Sequence, residues 1–309
     1  MKGLVYKSTG SWYSVKSEND KLIKCKIKGK LRLENINSTN PIAVGDFVEY
    51  EIQINDSKEI GIINKVYERQ NYILRKSVNL SKQTHILAAN IDILLLVITL
   101  KNPITTTGFI DRFLVSAEAY SIQTILVFNK YDLYDNDDKK KLNSIIEIYK
   151  KAGYKCLITS LVSDYGISEL KKNVIGKKIM FGGHSGVGKS SLINKFDSNL
   201  NLKVGTISSQ HSQGKHTTTY AEIFDLDNKT KLIDTPGIKG FGLTKLNKEE
   251  IGNFFPEFLK YKSKCKFNNC LHLNEPKCVI KEKVKELKIA ESRYQNYVNM
   301  INNEDLKYR

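Results

Sequence analysis

Residues 183–190 read Gly-His-Ser-Gly-Val-Gly-Lys-Ser. A loop of the form GxxxxGK[ST] works only where a strand ends and a helix begins: its glycines let backbone N–H groups approach a polyanion, and the helix adds the positive end of its dipole. The flanks supply both elements, with Lys178-Ile179-Met180-Phe181 as a short apolar strand and Ser191 to Phe196 as the following helix. An α/β architecture with a parallel sheet follows. Within the loop, Gly183, His184, Ser185, Gly186, Val187 and Gly188 form a phosphate cradle with Ser191 just behind it. Lys189 neutralises the β and γ charge, and Ser190 offers its hydroxyl to Mg²⁺.

A second element lies upstream. Asn129-Lys130-Tyr131-Asp132 ends the apolar run Ile125 to Phe128, at the carboxyl end of a predicted parallel strand, where open α/β sheets bind ligands. Asp132 is placed to accept hydrogen bonds from the N1–H and exocyclic amine of guanine, a pair adenine lacks. Ser160, after the strand Cys156 to Thr159, stands where a Ser-Ala step braces the base, although Leu161 follows it here. Asp234-Thr235-Pro236-Gly237 closes another short strand, Asp234 suited to hold Mg²⁺ through water and Gly237 to meet the γ-phosphate. One threonine of Thr217, Thr218 and Thr219, assigned as Thr218, completes the magnesium set with Ser190 and Asp234. An ordinary GTPase carries its phosphate loop before its guanine signature. Here the order is reversed, which predicts a circularly permuted P-loop GTPase domain.

The order of these elements, with Gly214-Lys215-His216-Thr217-Thr218-Thr219 among them, resembles the RsgA (YjeQ) family of circularly permuted GTPases acting in small-subunit maturation. Lysine stands at Lys215 where the family has arginine. The resemblance spans essentially the whole chain. It implies a GTP hydrolase whose partners are the small ribosomal subunit and its rRNA together with GTP and GDP; the protein is also expected to be cytoplasmic and monomeric. An RNA-binding assembly factor that uses GTP only as a structural ligand is the alternative. Ile238, after the glycine of Asp-Thr-Pro-Gly, cannot orient water, and the resemblance implies that catalysis comes from elsewhere. His216 is the candidate catalytic residue, because an imidazole accepts a proton near neutral pH.

Cys265, Cys270, His272 and Cys278 form a Cys-x4-Cys-x-His-x5-Cys cluster, predicted to hold one structural Zn²⁺. The spacing also matches the RsgA pattern. Cys25 and Cys156 lie in apolar strand patterns and read as buried small side chains.

Five short strand patterns precede residue 72, and five strands suit an OB barrel, a fold that binds oligonucleotides with aromatic and basic side chains. Trp12, Tyr13, Lys24, Lys26, Lys28, Lys30 and Arg32 are the candidates, and the resemblance implies RNA contact for this part. A formal charge of +16 points to a polyanionic partner. The expected division is a barrel over 1–72, the permuted GTPase over 83–244 and a helical zinc-binding domain over 245–309, with Leu74 to Asn79 as a basic linker. The last helix is predicted as one segment from about Lys277 to Ile301. No apolar run is long enough to span a membrane, and no signal peptide is expected. Because the segment after Gly237 leads into the cysteine cluster, movement at the γ-phosphate is expected to reach that region.

Overall fold

The computed structural model describes residues 1–27, 41–55, 58–76, 84–197, 221–226, 229–234 and 246–302. Two compact units make up the chain, one of residues 1–94, 171–181 and 193–240, the other of residues 95–170, 182–192 and 241–309.

In the first unit, alternation of apolar and polar residues builds the barrel. Strands β1 (Lys2–Ser8), β2 (Tyr13–Ser17), β3 (Leu22–Ile27), β4 (Phe47–Asn55) and β5 (Lys58–Val66) follow one another. β1–β2–β3 is an antiparallel meander, β3 lies parallel to β5, β5 antiparallel to β4, and β4 returns to β1 to close the sheet. Closure removes the free edges an open sheet would expose. Every second residue points inward, so Tyr13, Val15, Ile23, Cys25, Val48, Tyr50 and Ile63 share one core. That placement sorts the aromatics of the sequence pattern: Tyr13 is core, while Trp12 stays half-exposed with the amines of Lys24 and Lys26 at 4.3 and 4.2 Å from its ring.

Of the expected linker Leu74 to Asn79, residues 74–76 are strand instead. They belong to β6 (Tyr72–Lys76), paired antiparallel with β7 (Thr84–Ala89). Their pairing partner lies downstream in β7, which a local reading of basic residues does not reveal; Ser77, Val78 and Asn79 lie outside the described residues. The unit's remaining strands are β11 (Lys178–Gly182), of which residues 178–181 belong here, β12 (Glu222–Asp225) and β13 (Lys231–Asp234). β11 and β13 are parallel, β12 and β13 antiparallel, and β12 also bridges β1 at Lys7.

The second unit is built on β8 (Ile93–Ile98), β9 (Gln123–Phe128) and β10 (Lys155–Ile158), with β9 next to β8 and parallel to β10. All residues of β8 are buried, in keeping with its continuous apolar sequence. Helix α1 (Thr107–Ala119), started by Thr106 Oγ1 accepting from Phe109 N, buries Ile110, Phe113, Leu114 and Ala117 at helical spacing on one face. Helix α2 (Asn136–Ala152) begins with a capping box between Asp135 and Asp138 and buries Leu142, Ile146 and Tyr149. α3 (Ile167–Val174) and α4 (Lys189–Phe196) follow, of which residues 167–170 and 189–192 belong to this unit.

The carboxyl-terminal part contributes α5 (Lys248–Ile251), a 3₁₀ turn (Gly252–Phe254), α6 (Pro256–Lys262), α7 (Val279–Lys285) and α8 (Glu291–Ile301). Phe255, Phe258, Ile280, Tyr297, Met300 and Ile301 form their core, joined by Val115 of α1. The single helix expected from Lys277 to Ile301 is instead two. Leu287 takes a left-handed φ of 58°, which ends α7 and turns the chain so that Ile289 is buried. Among the described residues no helix is long and apolar enough to cross a membrane.

Candidate nucleotide site and metal group

Asn129 holds the nucleotide elements of the second unit together. Its side-chain Nδ2 donates to the carbonyl of Val187 in the phosphate loop at 2.9 Å, and its Oδ1 accepts from Thr159 Oγ1 at 3.0 Å. Its main chain is equally committed: N donates to Ile98 O at 2.8 Å, and its carbonyl accepts from Tyr134 Oη at 2.8 Å. Since Asn129 is fully buried, each of those bonds avoids the cost of an unpaired buried polar group.

Next along the chain, Lys130 takes a left-handed φ of 63°, and its ammonium donates to Asn102 O at 2.5 Å. Asp132 Oδ1 accepts from Ser160 Oγ at 2.5 Å, which leaves the second carboxylate oxygen for a base. Tyr131 stacks on Tyr165 with ring centroids 5.4 Å apart.

The phosphate loop follows β11. Gly188 has φ +101°, and a Cβ there would stand 2.4 Å from Asn129 Nδ2. Glycine is thus required twice, for backbone conformation and for closeness to the guanine signature. We expect Gly188→Ala to weaken GTP binding by more than about tenfold, since the side-chain clash and the strain each cost about 1–3 kcal/mol; titration with a fluorescent GTP analogue measures this. Lys189 Nζ donates to the carbonyls of Gly183 and His184 at 2.9 and 2.6 Å, which holds the ammonium against the loop. Ser190 is buried at the start of α4, with Ser191 partly exposed beside it. Ser185 and Gly186 are exposed. His184 lies against Phe109 of α1 with centroids 3.8 Å apart. Burial, then the charges of Lys189 and Arg112, push its pKa below the ordinary histidine range, so the imidazole is neutral beside the loop.

Asp234 ends β13 in the first unit. His216, Thr217, Thr218, Thr219, Gly237 and Ile238 lie outside the described residues. Phe109, Thr159 and Tyr134 were not singled out from sequence. Thr159 and Tyr134 at least adjoin motif residues, whereas Phe109 carries no signal.

Cys265, Cys270, His272 and Cys278 come together in the same unit as the phosphate loop, their ligand atoms all within 4.8 Å of one another. They form a group able to hold a metal ion. His272 Nδ1 is 3.8 Å from Cys265 Sγ and 3.4 Å from Cys278 Sγ. Burial holds the His272 pKa down to about 4, which keeps the imidazole in its neutral, ligating form, and pushes the Cys270 thiol up to about 12. The loop is fixed by polar bonds to its backbone: Glu275 accepts from Leu271 N and Leu273 N at 2.7 and 2.8 Å, Tyr294 Oη donates to His272 O at 2.7 Å, and Tyr297 Oη to Leu271 O at 2.6 Å.

A five-stranded closed barrel, a parallel sheet carrying the guanine signature ahead of the phosphate loop, and a Cys3His group define a circularly permuted GTPase. The RsgA GTPase family model matches residues 66–244, and the RsgA N-terminal domain model matches residues 2–63. The small ribosomal subunit biogenesis GTPase RsgA of Christiangramia forsetii is 53% identical over all of this chain and 98% of its own. That of Flavobacterium psychrophilum is 54% identical over all of this chain and 95% of its own. The crystal structure of YjeQ from Thermotoga maritima superposes with a TM-score of 0.78 at 36% identity, covering 100% of this chain and 99% of that one. The circularly permuted GTPase YloQ gives 0.75 at 30%, covering 100% and 96%. The chain belongs to the RsgA family of GTPases.

Proposed function

We propose that this protein hydrolyses GTP while bound to the small ribosomal subunit and assists late maturation of that subunit, its nucleotide state setting its affinity for rRNA. The observation that supports the nucleotide half is the bond from Asn129 Nδ2 to Val187 O, which ties the proposed base-recognition segment to the proposed phosphate cradle. In this reading Asp132 reads guanine with Ser160 bracing it, Lys130 and Tyr131 flank the base, and residues 183–191 take the phosphates. Ser190, Asp234 and one of Thr217–Thr219 are the proposed holders of Mg²⁺, which would neutralise phosphate charge during hydrolysis. His216 is proposed to orient the attacking water.

The Cys3His group fits one structural Zn²⁺. Tetrahedral Zn–S and Zn–N bonds of about 2.3 and 2.0–2.1 Å put sulfur and nitrogen ligands about 3.6 Å apart, and the two distances to His272 Nδ1 bracket that value. Contact with rRNA is supported by the charge of +16 and by Trp12 with its two lysines on the barrel. A barrel over 1–72, a GTPase over 83–244 and a zinc-binding part over 245–309, acting in the cytoplasm as a monomer, complete the reading.

Asp132→Asn tests base recognition. The amide keeps an oxygen for Ser160 and turns a donor toward the base, so GTP affinity falls by about 100-fold or more while xanthosine triphosphate, which presents a carbonyl at C2, gains. Unchanged preference for GTP contradicts the assignment. The subunit half is tested by affinity for small subunits with a non-hydrolysable GTP analogue against GDP. Equal affinities eliminate the switch, because a ligand without differential affinity shifts nothing.

A further inference from the structure

One rung of the first unit's sheet joins β1 to the consecutive strands β12 and β13, far along the sequence. Lys7 on β1 stands opposite Glu222 on β12, and Glu222 stands opposite Asp234 on β13. Side chains reinforce the rung, with Lys7 Nζ donating to Glu222 Oε2 at 2.7 Å. At the other end of β12, Asp225 collects donors from both sides: Tyr6 Oη at 2.7 Å and Lys16 Nζ at 2.7 Å from the barrel, and Lys231 Nζ at 3.0 Å from β13. Tyr6 is buried, and burial together with Asp225 holds its hydroxyl proton well above the ordinary range, so it remains a donor at any physiological pH. Burial alone would raise the Asp225 pKa, but the bonds from Lys16, Tyr6 and Lys231 outweigh it and keep the carboxylate ionised. The barrel therefore grips both ends of a short strand whose other edge carries Asp234.

In the chain, β12 lies between Thr217–Thr219 and Asp234, so it joins the two segments proposed to meet the γ-phosphate. Sliding β12 along β1 would break the rung and move Asp234 with it, because a change of register carries every side chain of a strand. The contacts are partly exposed, Lys7 and Glu222 at 39% and 29% and Lys16 and Asp225 at 19% and 41% of their side-chain surface. Such pairs contribute about 0–1 kcal/mol each. They are too weak to decide folding, but they are directional enough to fix a strand.

We propose that Lys7, Tyr6 and Lys16 are positioning residues for GTP hydrolysis: through Glu222 and Asp225, the amino-terminal barrel sets the placement of Asp234. The inference rests on the magnesium role proposed for Asp234. It gives a barrel bound to RNA a route to the reaction that does not pass through the cysteine cluster.

The test uses the full chain, with a Lys7→Met/Lys16→Met double variant, Asp225→Asn, and Asp234→Asn as reference. Two readouts are taken: the Mg²⁺ concentration that half-maximally slows release of a fluorescent non-hydrolysable GTP analogue, and kcat and KM of hydrolysis with small subunits. The double variant and Asp225→Asn are expected to melt close to the parent and keep its KM. Each raises the Mg²⁺ midpoint and lowers stimulated kcat by about tenfold. Asp225→Asn, which retains shape and an acceptor for Tyr6, covers the case in which the double variant does not fold. Parental midpoint and kcat in the barrel and Asp225 variants, with both shifted in Asp234→Asn, overturn the positioning role alone. A parental midpoint in Asp234→Asn removes the magnesium reading, and this inference falls with it.

Discussion

Arg293→Met is expected to cost about 3–5 kcal/mol of folding stability, read as a lowered urea midpoint of the full chain. Arg293 lies on α8 and is 1% exposed. Its Nε and Nη2 donate to the two oxygens of Glu257 on α6 at 2.7 and 2.9 Å, and its Nη1 donates to Asp111 on α1 at 2.6 Å. Asn296 Nδ2 and Tyr149 Oη also donate to Asp111, at 2.6 and 2.8 Å. Burial alone would push the guanidinium toward losing its proton, but Asp111 and Glu257 outweigh that and hold its pKa above the ordinary value.

Methionine leaves two buried carboxylates without their cation, and the penalty comes from them more than from the bonds lost. Burial raises the pKa of Asp111 even with the arginine present; without it the rise is greater. A group whose folded pKa lies above its unfolded value of about 4 stabilises most below that value and loses the contribution as pH climbs through the folded pKa. The deficit of the variant should therefore shrink on acidification from neutrality toward pH 5. A deficit independent of pH would show that the carboxylates are not the source. Arg293→Met/Asp111→Asn/Glu257→Gln, which removes all three charges, should recover part of the loss.

Cys270→Ala is expected to abolish tight binding of one Zn²⁺ and to melt the segment around α6 and α7. Outer partners of a metal ligand cost about 10–100-fold in affinity when removed, and loss of a direct ligand exceeds that. Burial drives the Cys270 thiol up to about 12, so without a cation Cys270 is a protonated thiol beside a neutral imidazole. Binding energy at such a site is folding energy. Competition against a chromophoric chelator and circular-dichroism melting, with and without EDTA, measure both effects. GTP binding should survive at first, because Asn129 bonds to Val187, Asp132 to Ser160, and Lys189 to Gly183 and His184. Stoichiometric Zn²⁺ uptake by Cys270→Ala at parental affinity contradicts the assignment.

The parts of the site whose residue types are dictated by chemistry were legible before any coordinates. Nothing but glycine fits at Gly188, no neutral side chain could read guanine in the way proposed for Asp132, and three thiols with an imidazole inside fourteen residues have few other uses. The supporting shell was not legible. Tyr134, Thr159 and Phe109 act through contacts that any fold could make with ordinary residues. Arg293 meets Asp111 across 182 positions, and Lys7 meets Glu222 across 215. Periodicity marks the buried faces of α1 and α2, because burial repeats along a helix. It failed at Leu287, where a residue type carrying no turn signal adopts a left-handed conformation, and at Tyr72–Lys76, whose basic residues concealed a strand.

Phosphate release from GTP and from ATP, with and without purified small ribosomal subunits, compared between the parent and Lys189→Ala, tests the central claim most directly. The account predicts slow release from GTP alone, strong acceleration by subunits, little release from ATP, and loss of the accelerated rate in Lys189→Ala. Equal turnover of GTP and ATP, or a rate indifferent to both the subunit and Lys189, would contradict it.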